Sequence, residues 1–192
     1  MKNLEVRWSY ELREGERIIR AIKPRICHSF LKQFGQVLYG SMSAGYIGDI
    51  VDTGGTTRTI NYRMCYSSYT TGMAVNAATS NSNYGIQVGT GSTAPAISNY
   101  ALQTKIAHGT GVGQLQYAAC TVGSPSATST QATFKITRVF TNGTANPITV
   151  EEIGLVLYDI QYYYLVIRDI TGGIAVAASQ SLTVNYDLTT TI

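Results

Sequence analysis

Two histidines, three cysteines and a few carboxylates are the residues here that could do chemistry, and their spacing decides how much. His28 follows Cys27 beside an expected helix start, a setting that can lower a thiol pKa; a structural pair with one side chain tucked inward fits the same spacing. His108 precedes Gly109 in a loop, where an exposed or interfacial imidazole is the default. Neither a G-x-S-x-G nor an H-E-x-x-H motif occurs. Cys27, Cys65 and Cys120 are odd in number, far apart and in no C-x-x-C arrangement, so they outline neither a disulfide framework nor a zinc site, and they suit a reducing cytoplasm. Asp49 and Asp52, or Asp159 and Asp169, lack the dense D-x-D spacing of a calcium loop. The expectation is no catalytic residue, no cofactor and no metal.

Glu151 and Glu152 are adjacent on an expected strand, so they point to opposite faces and cannot work as a paired acid and base. One of them should face inward and need a cationic partner. Arg168 in "LVIRDI" is the first choice and Arg138 the second, which makes Glu152 and Arg168 an expected structural ion pair.

Two Gly-Thr-Gly triplets, at Gly89 to Gly91 and Gly109 to Gly111, pose the question of a phosphate cradle. Such a cradle needs glycine-rich backbone leading into a helix N-terminus. The first triplet is followed by "STAPAIS" with Pro95, and the second by the alternating "GQLQYAAC", so both are read as turns. The tyrosines are more suggestive. Tyr66, Tyr69, Tyr84 and Tyr100 lie in or beside polar loops, and Tyr162, Tyr163 and Tyr164 run consecutively, so at least one of the three must leave the core. These seven are the candidate interface residues, suited to protein contacts or sugar stacking, with edge-strand packing as the plain alternative.

The elements that would position these residues are mostly strands. Val6, Trp8, Tyr10 and Leu12 alternate with charged or polar neighbours, "REGE" turns the chain, and "RIIRAIK" returns, giving an N-terminal hairpin. From Ile26 the spacing becomes helical, with Phe30, Phe34, Val37 and Leu38 on one face, Pro24 and Ser29 marking the start and Gly40 or Gly45 the end. "IVDTGGTTRTI" reads as two short strands about Gly54-Gly55, and 61–85 as a long irregular excursion with one strand at Tyr62–Tyr66. Beyond residue 130, strands recur with Gly, Asn or Pro between them, as in an antiparallel sandwich; Gly154 suits a bulge or a close backbone approach.

Composition narrows the class. The chain has 192 residues, 44% hydrophobic but only 13% charged, about half the usual charged share, so much of its surface is expected to be covered by other subunits. Residues 1–35 hold eight basic and four acidic side chains; the interleaved glutamates favour a salt-bridged solvated face over nucleic-acid binding. With no apolar leader and no long apolar run, neither a signal peptide nor a membrane span is expected.

The segments "VGTGSTAPAISNYALQTKI", "ITRVFTNGTANPITVEEIGLVL", "YLVIRDI" and "SLTVNYDL", with "DTGGTTRTI" after the helix, resemble structural proteins of tailed bacteriophages over roughly residues 50–192. The resemblance implies a β-sandwich virion component present in many copies, with Glu152, Gly154, Arg168 and Asp169 as framework positions. The expected fold is therefore mostly β: an antiparallel, jelly-roll-like β-sandwich over 49–192, and an N-terminal hairpin arm plus helix over 1–48 as a docking segment. The expected role is a non-enzymatic virion building block, made in the host cytoplasm, whose partners are copies of itself and other virion proteins. The alternative is a tail-tip or fibre module that binds a host-surface glycan.

Overall fold

The computed structural model describes residues 3–27, 30–43, 46–61, 73–159 and 161–191. Cys65, the strand expected at Tyr62–Tyr66, His28, Ser29, Tyr66 and Tyr69 lie outside them. Strands β1 (Asn3–Glu14) and β2 (Arg17–Ile26) form the first hairpin, followed by α1 (Lys32–Ser43) and a second hairpin, β3 (Tyr46–Val51) and β4 (Thr57–Asn61). Next come β5 (Gly85–Gly89) and three two-residue strands, β6 (Gln116–Tyr117), β7 (Thr121–Val122) and β8 (Ser126–Ala127). Four long strands finish the described chain: β9 (Gln131–Thr141), β10 (Ile148–Tyr158), β11 (Tyr163–Val176) and β12 (Gln180–Thr191). The protein is mostly β, with antiparallel sheets and a sandwich-like arrangement, as its alternating sequence requires.

The larger sheet runs β2-β1-β12-β9-β6, with β7 and β8 also on the free side of β9; the smaller runs β11-β10-β5. One apolar cluster unites them: Val6, Trp8, Tyr10 and Leu12 from β1 and Leu182, Val184 and Tyr186 from β12 meet Val88, Ile153, Leu155 and Ile167 of the smaller sheet. The first hairpin is thus built into the sandwich, because β1 pairs with β12 along its whole length, from Asn3 opposite Thr191 to Glu14 opposite Gln180. A boundary at residue 48 crosses this shared sheet. Within this hairpin β2 is mostly exposed and touches the core through Ile22.

Strand β10 is buried on both faces from Glu152 to Val156, which is why "EEIGLVL" does not alternate. Its inner face meets the main cluster, while Val156 on the outer face joins Leu31, Leu102 and Leu165. Gly154 sits at a close approach, where a Cβ would come within 2.8 Å of Leu165 and 2.9 Å of Leu102, and register shifts lie on either side of it. The helix begins at Lys32, later than its apolar spacing predicts, because Phe30 already forms an antiparallel bridge to Ile167 and Leu31 N–H donates to Val166. Gly40 lies inside the helix rather than at its end.

The β3–β4 turn is built by one carboxylate. Asp52 Oδ1 accepts from Gly54 and Thr56 N–H, both at 2.9 Å, and Oδ2 lies 2.7 Å from Arg58 Nε. Burial acts to raise the Asp52 pKa, but the Thr56 N–H and the Arg58 guanidinium, helped by Gly54, outweigh it and hold the carboxyl below its ordinary value. A lowered native pKa means the stabilisation is present above the unfolded-state value and disappears as pH falls through the native one. The urea midpoints of wild type and Asp52→Asn are therefore expected to differ at pH 6 and to converge as the pH drops below 3.8.

Candidate functional site

The first glycine triplet does receive an anion, and that anion belongs to the chain. Glu152 on β10 has no solvent exposure, and its carboxylate collects four donors. Oε1 accepts from Gly91 N–H at 3.2 Å and Thr104 N–H at 2.8 Å; Oε2 accepts from Gln103 N–H at 3.0 Å and Arg168 Nε at 2.7 Å. The glycines allow the loop to come this close: a Cβ on Gly89 would stand 2.5 Å from Glu152 Oε1 and 2.6 Å from the Thr104 carbonyl. The sequence rule for an anion cradle asks for a helix after the glycines; here the N–H groups come from two limbs of one loop, closed on a side chain that lies some sixty residues downstream. Gly89→Ala is expected to lower stability by about 1–3 kcal/mol, because a backbone carbonyl and a fixed carboxylate cannot both withdraw. Gly123→Ala, with nothing nearer than 3.5 Å, should change the urea midpoint little.

The structure brings Glu152 and Arg168 together diagonally across β10 and β11, where Arg168 stands opposite Gly154. Arg168 then reaches up into the loop: Nη1 donates to Asn99 Oδ1 at 3.0 Å and Nη2 to the Thr93 carbonyl at 3.1 Å. Above it lies a polar depression of about 380 Å³ lined by Thr93, Ser98–Gln103 and Arg168. Tyr100 lies on its rim, 43% exposed, with its ring against Gly55 of the β3–β4 turn. The second triplet is organised in the same way on a smaller scale, since Gln114 Oε1 accepts from Gly111 N–H at 3.0 Å.

Arg138 is the residue whose role the sequence did not disclose. It is fully buried on β9, and all five of its N–H directions meet backbone carbonyls: Nε to Ala118, Nη1 to Tyr84 and Ile86, Nη2 to Ala78 and Asn81. Its guanidinium also lies 4.7 Å from the Tyr117 ring centre. Burial pulls its pKa down, while the neighbouring thiol and phenols oppose this, so carbonyl dipoles carry the charge in place of a carboxylate. A sequence signal existed: Arg138 shares its strand face with Phe134, Ile136 and Phe140.

The tyrosines divide. Tyr84, Tyr158 and Tyr163 stack on one another, with centroids 5.0–6.2 Å apart, and Tyr162 packs under Arg58 at 3.9 Å. Tyr164 cannot serve an interface: it is fully buried against Ile50 and Ile60, and burial followed by the Asp159 carboxylate pushes its phenol pKa up. Of the described interface candidates, Tyr100 is the exposed one. His108 is half-buried rather than a free imidazole; its Nδ1 accepts from Tyr117 N–H at 3.0 Å. Cys27 and Cys120 are buried free thiols, and burial, then Asp169, pushes the Cys27 thiol far up, opposite to what a nucleophile needs. Among the described residues no three His, Cys, Asp or Glu side chains gather as a metal site, and no helix is long and apolar enough to cross a membrane.

No protein family, curated protein or solved structure matches the chain.

Proposed function

We propose that this chain is a non-enzymatic structural component of a tailed-phage virion, assembling in many copies as a capsid-associated, decoration or tail-baseplate part. The observation that carries this reading is the outer edge of the larger sheet. Strand β2 pairs only with β1 among the described residues, and it holds Ile18, Ile19 and Ile26 at 43–48% exposure. Ile18 and Ile19 lie at a register shift, where Ile18 stands opposite Arg13, Arg20 opposite Leu12 and Ile19 is the extra residue, so two neighbouring isoleucines are left exposed on this edge. Arg17, Arg20, Lys23 and Arg25 are interspersed with them, and the strand carries no acidic residue. An edge with exposed isoleucines and one sign of charge is suited to side-chain contact with a neighbouring subunit, whereas Pro24, which has no N–H, and the two register shifts along the strand oppose plain strand addition. The motif resemblance and the low overall charge support the same reading.

Native mass spectrometry over a wide concentration range, together with proteomics of purified particles, tests it. Concentration-dependent oligomers that Ile18→Glu and Ile19→Glu weaken, and presence in particles, are expected. A monomer at every concentration, absent from particles, overturns the proposal. The polar depression beside Tyr100 favours a second reading, a tail-tip or fibre module that binds a glycan.

A further inference from the structure

We propose that the depression over Arg168 is a subsite for a carboxylate-bearing sugar, a uronate or a sialate. This rests on the glycan-binding reading above and names its ligand class.

Hydrogen-bond polarity singles out the ligand class. Asn99 Oδ1 is committed inside the protein, accepting from Ala96 N–H at 2.8 Å and from Arg168 Nη1 at 3.0 Å. Gln103 Oε1 is committed likewise, accepting from Thr93 N–H at 3.1 Å and Thr93 Oγ1 at 2.8 Å. These partners fix the orientation of both amides, so what each has left to offer is its NH₂ group, a donor. Arg168 uses three of the five N–H bonds a guanidinium carries, and Glu152 beneath it has both oxygens engaged by donors. The two amides therefore present spare donors and no spare acceptor, while Arg168, itself buried, holds Asn99 from beneath. Ser98 and Tyr100 hydroxyls can adopt either role.

Two outward amide donors, with hydroxyls beside them that can also donate, favour an acceptor-rich ligand, and a carboxylate is the acceptor-only group that pairs best with them. The exposed Tyr100 ring beside it supplies an apolar face for a sugar ring. The volume of about 380 Å³ falls in the small-ligand range. The Glu152 cradle and the two committed amides hold the loop in the binding geometry beforehand, which lowers the entropy cost of capture.

The test uses an immobilised panel of uronate- and sialate-terminated oligosaccharides, each beside its carboxyl-reduced neutral twin, and the full chain. Binding to at least one acidic member is expected, weakened about tenfold or more by carboxyl reduction. Asn99→Asp keeps the internal oxygen and replaces the outward NH₂ with a second oxygen; Gln103→Glu does the same at an exposed position. Each should weaken binding about tenfold or more at an unchanged thermal midpoint, as should Tyr100→Ala. If neutral twins bind equally well, or if Gln103→Glu and Asn99→Asp bind as wild type does, the acidic-sugar site is overturned while glycan binding stands. If no member binds, both fall.

Discussion

Arg138→Met is expected to be the most damaging single substitution in the described chain, lowering unfolding free energy by about 3–5 kcal/mol, with urea denaturation as the measurement. The side chain is replaced by one of similar reach, so lost volume is not the cause. Five carbonyls, those of Ala78, Asn81, Tyr84, Ile86 and Ala118, lose their donor together. The Ala78 carbonyl keeps the Asn81 N–H, and each buried carbonyl that is left without a partner carries its own desolvation penalty. Arg138→Lys should recover only part of the loss, since an ammonium has three donors at one point and cannot span carbonyls arrayed around a planar fork. Limited proteolysis should show the first new cleavages within 76–84, the irregular stretch before β5 that depends on these bonds in place of a strand partner.

Glu152→Gln is expected to cost a comparable amount, again about 3–5 kcal/mol by chemical denaturation. Four donors converge on the carboxylate, so whichever way the amide turns, its NH₂ meets either the pair of Gly91 and Thr104 N–H groups or the pair of Gln103 N–H and Arg168 Nε. The ion pair is asymmetric in consequence. Arg168→Met leaves Glu152 with three backbone N–H donors and should cost less than Glu152→Gln. A plain two-membered salt bridge would instead give similar losses from either side. Replacing both residues with leucine should not restore stability, because the loop N–H groups would remain unpartnered.

What could be read from the sequence follows from what period two contains. It places Val6, Trp8, Tyr10 and Leu12 on one face, and Leu182, Val184, Tyr186 and Leu188 on another, and those faces point inward. It does not say which strand lies beside which, so the pairing of β1 with β12 came only from the structure. Period two also fails where both faces are covered, as in β10 from Glu152 to Val156, and there the apolar run alone hides the outer layer formed by Leu31 and Leu102. The Glu152 and Arg168 contact was legible, because an inward carboxylate needs a cation from an adjacent strand. The loop N–H groups around it were not, since hydrogen bonding between a glycine-rich turn and a distant strand leaves no periodicity. Asn99 and Gln103 were invisible for a related reason: their significance lies in which amide atom is already engaged, a property of the folded loop.

The neighbouring of the first and last long strands also bears on how the molecule is made. As the ribosome releases the chain, β1 finds a partner for one rim in the next strand, β2, while the other rim waits for β12, which is synthesised after all the other described strands. The larger sheet closes only after β12 has left the exit tunnel, because its β1–β12 contacts join strands far apart in the sequence. During that interval the Trp8 and Tyr10 face is open to chaperones or to the nascent strands of adjacent translating copies.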